Sequence, residues 1–194
     1  MNVTTTSPSR LDRSPVPSVL FGHAAAGAAL VMIGYFLAIL RHFEWILGAW
    51  STPFVLMVVV AVMVMVLLTV RREEGELAFG RAFGLALLAG WLARLGYNLF
   101  NLVYFHLLYP EHVEAYVELV VDKSSEALGV FGLDAEALGG ADMAGLFREQ
   151  ALWSLSPAGQ GADALTAIVW VAIVALIVSA ILKRPPESGP GLDA

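Results

Sequence analysis

Apolar residues fall in four long runs along the chain, and their lengths set the first expectation. A bilayer's hydrocarbon core, about 30 Å thick, takes about 20 helical residues to cross, with a range of roughly 17–25. The runs Val19–Leu40, Pro53–Val70, Phe79–Leu108 and Ala164–Leu182 meet that length and predict four membrane-spanning helices. The first is too long for the apolar part of a secretion signal, roughly 7–15 residues, and reads as a retained span. Pro53 suits the first turn of a helix, where its missing N–H costs nothing, and Ser51 or Thr52 can cap it. At about 1.5 Å per residue the third run is about 45 Å long, so it must tilt or project beyond the bilayer.

The polar stretches divide into tails, a turn and one sizeable loop. Residues 1–18 and 183–194 are rich in Ser, Thr, Pro and Gly and hold too little apolar surface to pack, so both are expected to be disordered tails. RREEGELAFGR, between the second and third runs, reads as a tight charged turn. The 109–163 connection is acidic and carries two helical patterns. In EHVEAYVELVVDKSSEAL, Val113, Tyr116, Val117 and Val120 share a face, with the acids largely opposite. In ADMAGLFREQALWSL, Met143, Leu146, Phe147 and Ala151 do so, with Asp142 as a helix cap. GVFGLDAEALGG between them is glycine-punctuated turn material. Neither helix can bury its stripe alone, so the pair should lie on each other, on the end of the bundle or in the membrane interface.

Orientation follows from the basic residues that flank the spans. Alternate flanks place Arg10, Arg13, Arg71, Arg72, Arg81, Lys183 and Arg184 on one side, against Arg41, Lys123 and Arg148 on the other. Both termini are therefore expected in the cytoplasm, with the 109–163 loop outside it. The expected architecture is an all-α, integral membrane four-helix bundle with a partly helical extracytoplasmic loop between its third and fourth spans.

Composition agrees with this picture and removes several classes of function. The chain is 58% hydrophobic and 14% charged, against about 25% charged in an ordinary soluble domain. A net charge of −6 without a basic patch excludes a nucleic-acid partner. The absence of cysteine excludes disulfides, thiol catalysis and cysteine-bound metals. No phosphate-binding loop, HExxH, GxSxG or dinucleotide fingerprint occurs, so no enzyme and no cofactor are expected.

The chemically expensive positions lie in the third run. Arg94, Asn98 and Asn101 are spaced i, i+4, i+7 and share one helix face, which Leu87, Gly90 and Trp91 extend. Arg94 stands near the middle of its run, about 22 Å from Phe79 along the helix axis. A central arginine costs about 2.5–3.5 kcal/mol on insertion scales, so a partner is expected. No Asp or Glu falls inside the four predicted spans. The available partners are Asn98, backbone carbonyls freed near glycines, the Tyr35 or Tyr97 hydroxyl, a lipid phosphate, cavity water, or a carboxylate of another subunit. Three readings follow. The plainest makes the asparagines interhelical glue and sets Arg94 near one end of a shifted span. A polar cavity for transport or ligand binding is the second, and an acidic partner protein the third.

Two weaker patterns remain. Gly80 and Gly84 have GxxxG spacing, which predicts close helix packing within the monomer or a homodimer seam. His42, His106 and His112, with Glu44, Glu111 and Glu114 nearby, match no metal-binding spacing, so no metal site is expected. His23, near the cytoplasmic end of the first run, suits a packing or headgroup contact.

REEGELAFGRAFGLALLAG, YFHLLYPEHVEAYVEL and VALIVSAILKRP together resemble a bacterial membrane-protein family catalogued as domain of unknown function four-one-nine-nine. The likeness runs over roughly residues 71–184. It implies four spans, a helical segment after the third and a basic stop after the fourth, and it carries over no activity and no site residue. The expected protein is a non-enzymatic accessory, assembly or interaction protein of the bacterial inner membrane, with the 109–163 loop as its contact surface. The alternative is a small oligomeric transporter or channel subunit for an anionic solute or lipid, lined by Arg94, Asn98 and Asn101. The expected partners are the lipid bilayer and either a second copy or other membrane proteins.

Overall fold

The computed structural model describes residues 16–41, 51–75, 77–130 and 141–183. The tails before residue 16 and after residue 183, and the glycine-rich stretch 131–140, lie outside them. The described residues are almost entirely helical: α1 (Val16–Arg41), α2 (Ser51–Glu74), α3 (Phe79–Val103), α4 (His112–Val130), α5 (Ala141–Leu155) and α6 (Pro157–Leu182). A π-helical turn, Tyr104–Leu108, continues α3.

Among the described residues three helical stretches are long and apolar enough to cross a membrane: Ser51–Glu74, Phe79–Leu108 and Pro157–Leu182. The described apolar stretch of α1, Ser18–Gly34, is shorter than that. These helices are apolar on most faces, so residue size decides which side is buried. α3 turns Ala82, Ala86, Ala89, Gly90 and Ala93 inward and leaves Leu88 and Leu99 exposed. α6 does the same with Ala164, Ala167, Val171 and Ala175 inside and Leu165, Val169 and Ile173 outside. Small residues let backbones approach, and large apolar ones suit a lipid-facing surface. α3 is the central helix, packing on α6, α1 and α2.

The glycines that matter for packing differ from the expected pair. Among the described residues a Cβ at Gly80 or Gly84 would meet nothing within 4 Å, so neither is a close-packing position there. Their GxxxG spacing is a surface feature of α3. The close approaches fall where helices cross: a Cβ at Gly96 would lie 2.5 Å from the Ala28 Cβ, and one at Gly90 would lie 2.2 Å from the Met63 side chain.

The charged turn forms as the sequence suggests. α2 runs through Arg71 and Arg72 to Glu74, and Gly75 ends it with φ +77°, donating to the Arg71 carbonyl at 3.0 Å. That left-handed conformation favours glycine. Arg81 on α3 pairs with Glu74 at 2.6 Å and ties the two helix ends together.

The fourth apolar run is part of a longer helix. Ser156 caps α6 by accepting from the Gly159 N–H at 3.0 Å, and Pro157 takes the first position. Residues 157–163, assigned above to the loop, are therefore the first two turns of α6. The corner between α5 and α6 is tight: a Cβ at Gly159 would stand 1.9 Å from the Trp153 carbonyl oxygen. α4 and α5 pack on each other, with Val117, Ala151 and Leu155 buried and the acids Glu114, Glu118 and Asp122 exposed. Arg148 on α5 pairs with Glu114 on α4. Leu146, expected on the inward stripe of α5, is exposed instead, and Met143, Phe147, Ala151 and Leu155 form the inner face.

Candidate functional site

Arg94 meets a carboxylate of its own chain. Its Nε and Nη2 donate to Asp163 Oδ2 at 3.1 and 2.7 Å. Asn98, one turn further along α3, donates from Nδ2 to the same oxygen at 2.9 Å and to the Gln160 carbonyl at 2.9 Å. The expectation that no acid lies within a span is thus corrected. Asp163 immediately precedes the apolar run, but the helix that carries that run begins six residues earlier. The Ser156–Pro157 pair, a cap followed by a first-turn proline, is the sequence signal that marks this start.

Around the ion pair further contacts join α3 and its π-helical extension to α5 and α6. The Arg94 guanidinium lies 4.6 Å from the centre of the Tyr97 ring, a cation–π distance. Trp91 donates from Nε1 to the Ala164 carbonyl at 3.0 Å. Gln160 donates from Nε2 to the Ser154 carbonyl at 2.7 Å, and His106 Nε2 to the Leu155 carbonyl at 3.0 Å. Asn101, the third residue of the stripe, lines the adjacent cavity. Asp163 is the carboxylate that neutralises Arg94; the Tyr35 side chain lies outside the described residues.

These contacts also set the depth of the site. As residue number rises along α3 it falls along α6, so the two helices are antiparallel. At the opposite end, Lys183 Nζ stands 5.9 Å from the Phe79 ring centre. Asp163 and Lys183 are 20 residues apart, or about 30 Å of helix, close to one hydrocarbon thickness. Arg94 is midway along its own segment yet sits at one end of the apolar stretch of α6. The last turns of α3 continue past that level and carry α4 and α5. The start of α2 reaches the same level, because Ser51 and Thr52 border the same cavity as Arg94 and Asn98.

That cavity has a volume of about 810 Å³, within the range of roughly 300–1,000 Å³ typical of ligand sites. Arg94, Asn98, Gln160 and Asp163 form its polar end. Trp170, Ile173 and Val174 of α6 and Val55 and Leu56 of α2 form an apolar wall. Tyr116 of α4 and Trp153 and Ser154 of α5 border it as well. Tyr116 is largely buried there, which holds its hydroxyl above its usual pKa; the nearby Tyr97 adds to this, and a hydrogen bond with Ser154 opposes it. The Arg94 side chain is 17% exposed and that of Asp163 42%. Two acceptors at the same end, Asn98 Oδ1 and Gln160 Oε1, are buried without a hydrogen-bond partner among the described residues.

The histidines are engaged separately. His112 Nδ1 and the Tyr104 hydroxyl are hydrogen-bonded at 2.6 Å, and the His112 ring stacks on Tyr109. Among the described residues no group of three His, Cys, Asp or Glu side chains is close enough to hold a metal ion. His42 and Glu44 lie outside those residues. His23 Nδ1 hydrogen-bonds the Val19 carbonyl of its own helix at 2.8 Å.

The model of a family described as "protein of unknown function (DUF4199)" matches residues 20–184. No curated protein and no solved structure matches the chain. The match covers most of the sequence, and the chain belongs to the DUF4199 family.

Proposed function

We propose that this DUF4199 member is a four-span protein of the bacterial inner membrane, with both termini cytoplasmic, that acts by binding rather than by catalysis. Its binding site is the cavity at the outer end of the bundle, with α4 and α5 as an extracytoplasmic cap beside it. It serves as an accessory or interaction protein whose partner inserts an apolar part into that crevice. The observation that carries this reading is the junction of an apolar wall with an ion-paired, hydrogen-bonded polar end in one open cavity of about 810 Å³. Sites of this composition bind ligands by apolar burial and orient them with a few polar groups.

The ion pair also weighs between the two expected functions. A pathway for an anionic solute needs an unneutralised cation, and here Asp163 and Asn98 already meet Arg94. Binding at the crevice therefore fits the geometry better than anion conduction along the stripe. The test is a search for molecules that stay with the protein after gentle solubilisation, by native mass spectrometry of the wild type and Thr166→Phe. Thr166 is exposed on the cavity wall, so the larger ring fills the crevice without entering the core. A bound species retained by the wild type and lost from Thr166→Phe supports the reading. Identical spectra with no retained species would overturn it.

A further inference from the structure

The chemistry of this crevice points to a particular occupant, and the inference rests on the binding reading above: we propose that it holds a membrane phospholipid whose headgroup carries a primary ammonium. Three observations combine. The first is where the crevice opens. Leu56 on α2 and Ile173 on α6 both line it and both have exposed side chains, so its rim between these helices is apolar. The outer surface of α6 continues with exposed Leu165, Val169 and Ile177. A water-borne solute would have to cross that rim, whereas an acyl chain is already among such side chains. From Thr166 to Val174 the α6 wall spans eight residue steps, about 12 Å of helix.

The second observation is a surplus of acceptors at the polar end. The Asn98 amide nitrogen is committed to Gln160 and Asp163, and the Gln160 amide nitrogen to Ser154. Those donations fix how both amides are turned, so their oxygens are the groups left without a partner among the described residues. Asn98 is only 3% exposed and Gln160 9%. Buried acceptors without donors are uncommon and call for a physical explanation. Both oxygens lie beneath the accessible surface, whereas the Asp163 carboxylate is the exposed member of its ion pair, at 42% against 17% for Arg94, with Oδ2 taken by Arg94 and Asn98. A headgroup that brings N–H donors and positive charge complements this end, and an ammonium brings three donors.

The third observation is the opposite wall. The N-terminus of α2, with Ser51 and Thr52, borders the same cavity. Helix N-termini favour anions. A zwitterionic headgroup therefore finds the partly exposed Asp163 carboxylate of α6 for its ammonium and the start of α2 for its phosphate, with an acyl chain along Ile173 and Val174. A quaternary ammonium lacks the N–H donors, and a glycerol headgroup lacks the positive charge.

Native mass spectrometry of the full chain, equilibrated with equal amounts of phosphatidylethanolamine, phosphatidylcholine and phosphatidylglycerol, tests the assignment. Wild type should retain phosphatidylethanolamine at least five-fold over each of the other two. Asp163→Asn keeps the side chain's shape and removes its charge, and it should lose that preference and favour phosphatidylglycerol. Thr166→Phe should retain less of all three. Equal retention of the three lipids, reduced by Thr166→Phe, would overturn the headgroup assignment and leave the binding site standing. A wild-type preference for phosphatidylglycerol would also overturn it, because Arg94 rather than the acceptors would then dominate. Retention of none, with no effect of Thr166→Phe, would overturn the assignment and the binding reading together. If Asp163→Asn does not fold, the wild-type headgroup ranking and Thr166→Phe still decide.

Discussion

Asp163 and Arg94 do not contribute equally to the pair they form. Arg94 is the more enclosed partner, at 17% exposure against 42% for Asp163. Losing the acid strands a nearly buried cation, whereas losing the arginine leaves a carboxylate that water and Asn98 still solvate. Asp163→Leu should therefore cost about 2–3 kcal/mol and Arg94→Leu about 1–2 kcal/mol. The double variant should cost less than the sum, with a coupling of about 1–2 kcal/mol. Equilibrium unfolding of the four proteins in one detergent measures this, and a coupling near zero would remove the pair from any account of stability. Gly96 and Gly84 make a second contrast at this scale. Gly96→Ala puts its methyl 2.5 Å from the Ala28 Cβ, which cannot swing away, and should lower stability by about 1–3 kcal/mol. Gly84→Ala enters open space and should be neutral or stabilising by about 0.5–1 kcal/mol, because glycine is a poor helix residue.

At the scale of elements, the cap depends on how α4 and α5 bury a small number of side chains. Tyr116 is a titratable one among them. Burial favours its neutral form, so the cap has its full stability below the ordinary tyrosine pKa of 10.0 and loses it as pH rises past that value. A thermal melt repeated from pH 8 to 11 should show a fall above pH 10 that Tyr116→Phe reduces. An unchanged fall in that variant would assign it to other groups. The corner before α6 is the other pressure point. Gly159→Ala drives a methyl toward the Trp153 carbonyl, a backbone group that cannot move alone, so the start of α6 should shift and loosen the Asp163 contact. Much of this level was legible in sequence. The stripe Val113, Tyr116, Val117 and Val120 faces inward on α4 as its spacing predicts, because one face of that helix is apolar and the other acidic. α2, α3 and α6 gave no such signal, since their apolar residues surround them and only side-chain size separates inside from outside.

For the whole molecule, the proposed topology is open to a clean test because the chain has no cysteine. Ala127→Cys on α4 and Glu73→Cys at the end of α2 are both exposed positions. In right-side-out vesicles a membrane-impermeant maleimide should label Ala127→Cys and leave Glu73→Cys unlabelled until the membrane is opened. Labelling in the reverse pattern would invert the orientation, and equal labelling of both would remove the span between them.

Sequence by itself determined that the protein is helical and membrane-compatible, that its one long connection folds as two amphipathic helices, and that Arg94, Asn98 and Asn101 share a face. Those properties are local: hydropathy belongs to a segment, and a helix face is set by spacing along one chain. Tertiary structure decided what the arginine is for. Its partner, its depth and its cavity depend on the register between α3 and α6, which small residues on both helices set by letting the backbones close together. Asp163 looked like the last residue of a loop because the apolar run begins at Ala164. Only the antiparallel packing of a helix that starts at Pro157 brings it beside Arg94, and charge pairing across 69 positions leaves no periodic trace in either segment.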